Sequence, residues 1–191
     1  MKKKVYIIHG WGGSPKEPMH SWLKQELEKR EYEIIIPKMP NPEEPKIKSW
    51  VEKLNEIVKN PDNNSYFIGH SIGCQTIMRY LESLSYNIKI GGIVFIAPWF
   101  NLTNLNNEEE LITKQWIETP IDFDKIKLHT KKIVAIFSDN DKFVPLSNKE
   151  IFKDKLMANI IVEHEKGHFT EEGGIVSNPT ALNELLKMRI D

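Results

Sequence analysis

Short apolar runs recur along the chain, and they lack the polar alternation of a half-exposed strand. The runs cover residues 5–8, 34–36, 66–68, 93–97, 133–137 and 160–162. Uninterrupted runs of this length are typical of strands buried on both faces, as in a parallel sheet that carries helices on either side. The pattern therefore predicts about six such strands.

Segments with a helical spacing of apolar residues separate these runs. In residues 47–58 the apolar side chains fall at offsets of 0, 3, 4, 7, 10 and 11, which is one face of a helix. Ser147 and Glu150 have the spacing of a capping box, and Asn178 and Pro179 are typical of a helix start. We expect helices at all three places.

The order of elements is an alternation of strands and helices, which favours an α/β fold with a doubly wound, mostly parallel sheet. We find no internal repeat and no linker, so a single domain over residues 1–191 is expected. In such sheets ligands bind beyond the carboxyl ends of the strands. Functional residues should therefore follow strands directly.

Composition narrows the class of protein and of partner. Of the 191 residues, 40% are hydrophobic and 28% charged, and the formal net charge is −1, so neither nucleic acid nor an anionic membrane is an expected partner. Cys74 is the single cysteine and cannot form an internal disulfide. No apolar stretch is long enough for a signal sequence or a membrane span. We expect a cytoplasmic protein.

The sharpest chemical signal is the Gly-His-Ser-Ile-Gly run at residues 69–73, which matches the pattern G-x-S-x-G. A predicted strand precedes it, and helical spacing that includes Cys74 and Ile77 follows it. Strand, sharp turn and helix form a nucleophile elbow, in which the serine stands exposed. Ser71 is therefore the candidate nucleophile, and Cys74 is expected to be a buried thiol.

A serine nucleophile needs a base and an orienting acid. Gly167 and His168 follow the last predicted strand, and Asp139 and Asp141 both follow the strand before it. The chain order Ser, Asp, His is that of α/β-hydrolases. These positions indicate His168 as the base and leave either aspartate as the acid.

The oxyanion of an acyl-transfer intermediate also needs hydrogen-bond donors. The glycine-rich residues 9–13 follow the first predicted strand, and we expect the backbone amides of Trp11 and Ile72 to form the oxyanion hole. Trp99 and Phe100 follow another strand. They could line a substrate pocket or pack in the core.

Several of these segments together resemble the small serine hydrolases related to retinoblastoma-binding protein 9 and the bacterial YdeN proteins. The segments are residues 8–15, 22–23, 39–42, 69–74, the Asp141 loop and residues 167–168. The resemblance implies a compact α/β-hydrolase with a minimal lid and a triad of Ser71, Asp141 and His168. It favours Asp141 over Asp139, because the family's acid resembles the one before residues 143–145.

The resulting hypothesis is a carboxylesterase-like serine hydrolase that cleaves small or medium esters through an acyl-enzyme, without cofactor or metal. Residues 100–130 should form only a modest cover over the site. An alternative is a protein-interaction module that keeps the hydrolase scaffold with little activity. Its partner cannot be named from the sequence.

The histidines offer a further alternative, because residues 164–168 match the zinc-binding pattern H-E-x-x-H. That chemistry needs a helix, whereas a predicted strand leads into His164 and Gly167 weakens a helix. The other histidines are expected to take no part in the chemistry. We expect His20, His129 and His164 to be at the surface or hydrogen-bonded, and His9 and His70 to support the site's loops.

Overall fold

Six parallel strands form one sheet at the centre of the molecule. The computed structural model describes residues 2–188, and every predicted run corresponds to a strand, with bounds that differ by at most two residues. The strands are β1 (Lys4–Ile8), β2 (Glu33–Ile35), β3 (Ser65–His70), β4 (Gly92–Ile96), β5 (Ile133–Ser138) and β6 (Asn159–Glu163).

The strand order explains which strands are buried on both faces. The order is β2-β1-β3-β4-β5-β6, and each neighbouring pair is parallel. β3, β4 and β5 are buried throughout, whereas no residue of β2 or β6 is. The prediction of full burial is wrong for β2 and β6. Both lie at an edge of the sheet, where a strand has a neighbouring strand on one side only and is more exposed to water.

Seven helices in residues 2–188 pack in two groups. They are α1 (Pro18–Glu28), α2 (Ile47–Ile57), α3 (Ile72–Ser83), α4 (Asn107–Glu118), α5 (Phe123–His129), α6 (Asn148–Leu156) and α7 (Pro179–Lys187). α1 contacts β2 and α7, and α7 also contacts β4. α2, α3, α5 and α6 contact one another in that order, and α3 and α6 lie on strands. None of these helices has the length and apolarity to cross a bilayer.

The helix starts only partly match the sequence pattern. Asn178 caps α7 by accepting from the amide of Ala181. The predicted capping box at Ser147 is wrong: its backbone is helical (φ −60°, ψ −21°), and its side chain makes no cap hydrogen bond. A capping box occurs instead at α4, where Asn106 and Glu109 each accept from the other's amide.

The topology locates the crevice in which ligands bind. From β1 the chain crosses to β2 on one side and returns to place β3 on the other side. The strand order therefore reverses between β1 and β3, and the carboxyl ends of these two strands define a topological switch point. The loops that follow β1 and β3 begin side by side at this point.

Candidate active site

Ser71 lies on a strained turn between β3 and α3. Its φ of 52° and ψ of −119° are unfavourable for a residue with a side chain. Close packing at the two flanking glycines holds the turn: a Cβ on Gly73 would lie 2.3 Å from the Ile8 carbonyl oxygen, and one on Gly69 would lie 2.8 Å from the Cys74 amide nitrogen. The strand and helix could not approach this closely with larger residues.

A series of hydrogen bonds connects Ser71, His168 and Asp141. The loop after β6 places His168 Nε2 2.9 Å from Ser71 Oγ, and the loop after β5 places Asp141 Oδ2 2.8 Å from His168 Nδ1. Asp141 Oδ1 accepts from the amides of Phe143 and Val144. Because a carboxylate only accepts, the proton of neutral His168 lies on Nδ1, and its Nε2 lone pair faces the serine hydroxyl.

Asp139, the other acid of this loop, has different partners. Its carboxylate lies 2.6 Å from His164 Nδ1 and accepts from the Glu165 amide at 2.9 Å. These hydrogen bonds lower the pKa of Asp139 below its usual value, and the one from the Glu165 amide has the largest effect. Asp139 is therefore bound to His164 and the Glu165 amide at the surface, and not to His168.

The zinc hydrolase suggested by residues 164–168 does not fit the structure. These residues form bends and turns after β6 rather than a helix. His164 faces Asp139, and His168 faces Asp141 and Ser71. The two imidazoles therefore do not share the single helix face that the zinc motif requires.

Two polar side chains that sequence reasoning missed join the acid loop to the base loop. Ser138 Oγ accepts from the Lys166 amide at 2.9 Å and donates to Asn140 Oδ1 at 2.8 Å. Asn140 Oδ1 also accepts from the Gly167 amide at 2.7 Å. His168, the next residue, is thereby positioned from the end of the neighbouring strand. Ser138 ends β5 and Asn140 follows it by two residues, and this position at a strand's carboxyl end is the one available sequence signal.

The amides of Trp11 and Ile72 have no hydrogen-bond acceptor within residues 2–188. Ile72 is the first residue of α3, and Trp11 lies in the loop after β1. The proline-rich loop of residues 37–45 supports this segment. The indole N–H of Trp11 donates to the Glu43 carbonyl at 2.9 Å, and the Gly12 amide donates to the Pro42 carbonyl. Two backbone donors thus remain free near Ser71.

Trp99 and Phe100 pack in the protein interior. Trp99 is buried, and its indole N–H donates to Ser71 Oγ at 3.3 Å. Phe100 packs against the rings of Phe123 and Phe152. Neither belongs to the described residues that line the cavity beside Ser71. The structure thus places this pair against the core, with Trp99 in contact with Ser71.

A cavity of about 570 Å³ opens over Ser71 and His168. Leu102, Leu105 and Phe143 supply its apolar wall, so residues 100–130 contribute to its side. The described lining contains no lysine or arginine, but it contains five carboxylates: Glu17, Glu43, Glu109, Glu171 and Glu172. The surroundings of Ser71 are therefore partly apolar and negatively charged.

The histidines beside the site support its loops. His9 donates through Nδ1 to the Gly10 carbonyl and accepts from the Met39 amide through Nε2. His70 donates through Nε2 to the His168 carbonyl at 2.8 Å. Burial is the main reason why the pKa values of both rings are lowered, that of His70 to about 3. Both rings are therefore neutral at physiological pH.

Only one nitrogen of His20 meets the expectation that this residue is at the surface or hydrogen-bonded, since Nδ1 lies 3.4 Å from the Ser14 carbonyl oxygen. His20 is buried, and its Nε2 atom has no hydrogen-bond partner among the described residues. Its burial lowers its pKa to about 4. By contrast, His129 is buried and bonded to the Ile88 carbonyl, and His164 is exposed, in line with expectation.

Comparison with known proteins identifies the family. A model of the family described as serine hydrolase matches residues 5–187. The chain is 31% identical to the hydrolase YdeN of Bacillus subtilis (strain 168), over 97% of this chain and 95% of YdeN. It is 25% identical to the serine hydrolase RBBP9 of Rattus norvegicus, over 84% of this chain and 78% of that protein.

Solved structures agree with this result. The crystal structure of the ydeN gene product of B. subtilis superposes with a TM-score of 0.91 at 28% identity, and all of both chains is covered. Est1E of Butyrivibrio proteoclasticus shares the fold alone, with a TM-score of 0.76 at 15% identity over 100% of this chain and 89% of Est1E. The protein has the α/β-hydrolase fold and belongs to the serine hydrolase family.

Proposed function

We propose that the protein is a carboxylic ester hydrolase in which Ser71, His168 and Asp141 act as a catalytic triad. The observation that carries the proposal is the continuous series of hydrogen bonds from Ser71 to Asp141, at 2.9 and 2.8 Å, beside a cavity large enough for a small molecule. A nucleophile, a base and an orienting acid in this order are the parts that acyl transfer needs.

In the first half of the proposed reaction, Ser71 Oγ attacks the ester carbonyl carbon. His168 Nε2 takes the hydroxyl proton as the bond forms, and Asp141 stabilises the imidazolium through its hydrogen bond with Nδ1. The proton then passes from Nε2 to the leaving alkoxide, which departs as an alcohol. Ser71 is left as an acyl ester.

The second half regenerates the enzyme. A water molecule gives its proton to His168 Nε2 and attacks the acyl carbonyl, and the proton returns to Ser71 Oγ as the acid product leaves. In both halves negative charge develops on the carbonyl oxygen. The free amides of Trp11 and Ile72 would receive it, and the amino end of α3 adds a favourable dipole.

The cavity favours neutral esters of small or medium size. Its volume lies within the range of small-molecule sites, and its apolar wall can hold a short acyl chain. The five carboxylates of its lining disfavour acyl groups that are themselves anionic, because like charges repel. We therefore expect neutral acetyl to octanoyl esters to be hydrolysed before their carboxylated counterparts.

Labelling with a fluorophosphonate tests the nucleophile. We expect one adduct by intact-mass analysis of the wild-type protein and none on Ser71→Ala. Ser147→Ala is a matched control, because Ser147 is exposed and makes no cap hydrogen bond. It should label like the wild type. Absence of an adduct on folded wild-type protein, or an adduct retained by Ser71→Ala, would overturn the proposed triad.

A series of p-nitrophenyl esters tests the bond that is cleaved. Wild-type protein should hydrolyse acetate, butyrate and octanoate esters, and Ser71→Ala should lose about 10⁴-fold or more of kcat. Labelling of Ser71 without turnover of any ester would reject ester cleavage. Together with a stable protein partner, that result would favour the interaction scaffold.

A further inference from the structure

Three side chains beside the catalytic cavity bring metal-binding atoms together. One carboxylate oxygen of Glu17 and one ring nitrogen each of His20 and His70 lie within 4.8 Å of one another. Glu17 and His20 come from the start of α1, and His70 is the last residue of β3. Glu17 and His70 also line the cavity over Ser71. The group is therefore buried but adjoins the space open to a substrate.

The hydrogen bonds of His70 leave a buried lone pair. His70 Nε2 faces the His168 carbonyl oxygen, which can only accept, so the proton of the neutral ring is on Nε2. Its Nδ1 atom therefore carries a lone pair, and this buried atom has no hydrogen-bond partner in residues 2–188. A buried acceptor without a donor is destabilising.

His20 has the same arrangement in the opposite orientation. Its Nδ1 atom lies 3.4 Å from both the Ser14 carbonyl oxygen and Glu17 Oε2, and both of these atoms are acceptors. The proton is therefore on Nδ1, and the buried Nε2 atom carries the unpartnered lone pair. Since two lone pairs cannot satisfy each other, both imidazoles lack a partner that accepts an electron pair, which is either a hydrogen-bond donor or a metal ion.

The outer hydrogen bonds of both rings match those of metal-bound histidines. Histidine ligands usually donate their second ring N–H to a backbone carbonyl or a carboxylate, which fixes the tautomer and the ring orientation. His70 donates to the His168 carbonyl, and His20 Nδ1 faces the Ser14 carbonyl. Each ring is thus held with a bare nitrogen available.

We propose that Glu17, His20 and His70 bind a divalent transition-metal ion of the zinc class. Two imidazoles and one carboxylate are a ligand set that zinc takes when it keeps an open position, whereas calcium and magnesium prefer all-oxygen sites. Bonds of about 2.0–2.1 Å put ligand atoms about 3.3 Å apart, so the group contracts on binding. Because Glu17 and His70 line the cavity over Ser71, an ion held there would lie beside that cavity.

Space for the carboxylate ligand depends on Gly13. A Cβ there would lie 2.3 Å from Glu17 Oε1, which instead accepts from the Ser14 amide at 2.7 Å. That hydrogen bond holds the carboxylate beside the two rings, with its other oxygen, Oε2, 3.4 Å from His20 Nδ1. The carboxylate therefore lies near the site in the absence of an ion, and Oε2 would turn from Nδ1 toward the bare nitrogens when an ion binds.

Calorimetric titration of the chelator-treated full chain with zinc chloride tests the site. We expect one equivalent to bind and at least about tenfold weaker binding to Glu17→Gln or His20→Gln. Glu17→Gln keeps the shape of the side chain, and circular dichroism verifies the fold of both variants. His164→Asn is the matched control, because it removes the exposed histidine beside Asp139 and Glu165.

Cobalt(II) provides a second readout that needs no turnover. Its visible absorption should appear with the wild type and with His164→Asn but not with Glu17→Gln. No binding to the wild type, equal binding to Glu17→Gln, or loss of binding in His164→Asn would overturn the proposal. Absence of binding would mean that a water molecule serves the two lone pairs. Because these signals are independent of ester hydrolysis, the metal site and the proposed activity can fail separately.

Discussion

Two histidine–aspartate pairs connect the loops after β5 and β6, and they differ mainly in burial. Asp139 and His164 lie 2.6 Å apart, and Asp141 and His168 lie 2.8 Å apart. The first pair is exposed, with side-chain exposures of 37% and 78%, whereas those of the second are 1% and 16%. The shorter distance thus belongs to the pair in water.

The comparison teaches that the surroundings, rather than the hydrogen bond, distinguish the two pairs. Water screens the charges of an exposed pair, so holding its histidine adds little to stability or reactivity. The buried pair is shielded, its acid accepts two further amides, and its histidine faces Ser71. Only there can an oriented imidazole act on a nucleophile.

Asp141→Asn should have the largest effect. Asparagine can donate to Nδ1 and so favours the tautomer that lacks a lone pair at Nε2 of His168. We expect kcat for p-nitrophenyl acetate to fall by about 10³- to 10⁴-fold, with KM nearly unchanged. Asp139→Asn is the isosteric control in the same loop. A comparable fall in that variant would contradict the assignment of the acid.

Trp99→Phe should have an intermediate effect. It removes the indole N–H that donates to Ser71 Oγ at 3.3 Å and leaves the ring's apolar packing largely in place. We expect about a tenfold slower fluorophosphonate labelling, which corresponds to the loss of one modest hydrogen bond. Labelling at the wild-type rate would indicate that this contact is structural only.

Asn140→Ala should weaken the hydrogen bonding between the loop after β5 and the loop after β6. The Gly167 amide and the Ser138 hydroxyl would each lose an acceptor. We expect a loss of about 1 kcal/mol in the free energy of unfolding, a Tm lower by about 2–4 °C and a several-fold lower kcat. Thermal unfolding and ester turnover of the same variant measure both effects. An unchanged Tm would show that the hydrogen bonds of Asn140 do not stabilise the fold.

His164→Asn should have the smallest effect. The exposed pair with Asp139 is in water, so its removal should change neither Tm nor kcat/KM by more than the scatter of the measurement. A clear loss of turnover with normal labelling of Ser71 would instead give this pair a role in placing the base loop.

Much of the fold could be predicted because burial leaves a local signal. Six apolar runs correspond to six strands, and the alternation with helices gives the architecture. The edge positions of β2 and β6 and the capping box at Asn106 could not be predicted in the same way. Strand order depends on contacts between distant segments, and the Asn106 cap lies in a polar stretch without helical period. The cytoplasmic location stays a prediction.

The sequence predicted which loops form the candidate site, but not every contact within it. Ser71, His168 and the two acids follow strands, but both aspartates satisfy that rule, and the residues alone did not choose between them. The structure separates them by their partners, since Asp139 faces His164 and Asp141 faces His168. Burial of His20 and the contact of Trp99 with Ser71 depend on packing between segments far apart in the chain.

The hydrogen bonds of Ser138 and Asn140 have a consequence for engineering. Because they join the two loops, the segments after β5 and β6 form one exchangeable unit. A chimera that takes only one of these loops from a relative would separate the acid from its base, whereas one that takes both would carry the matched pair. Transplants between members of this family should therefore be designed as paired loops.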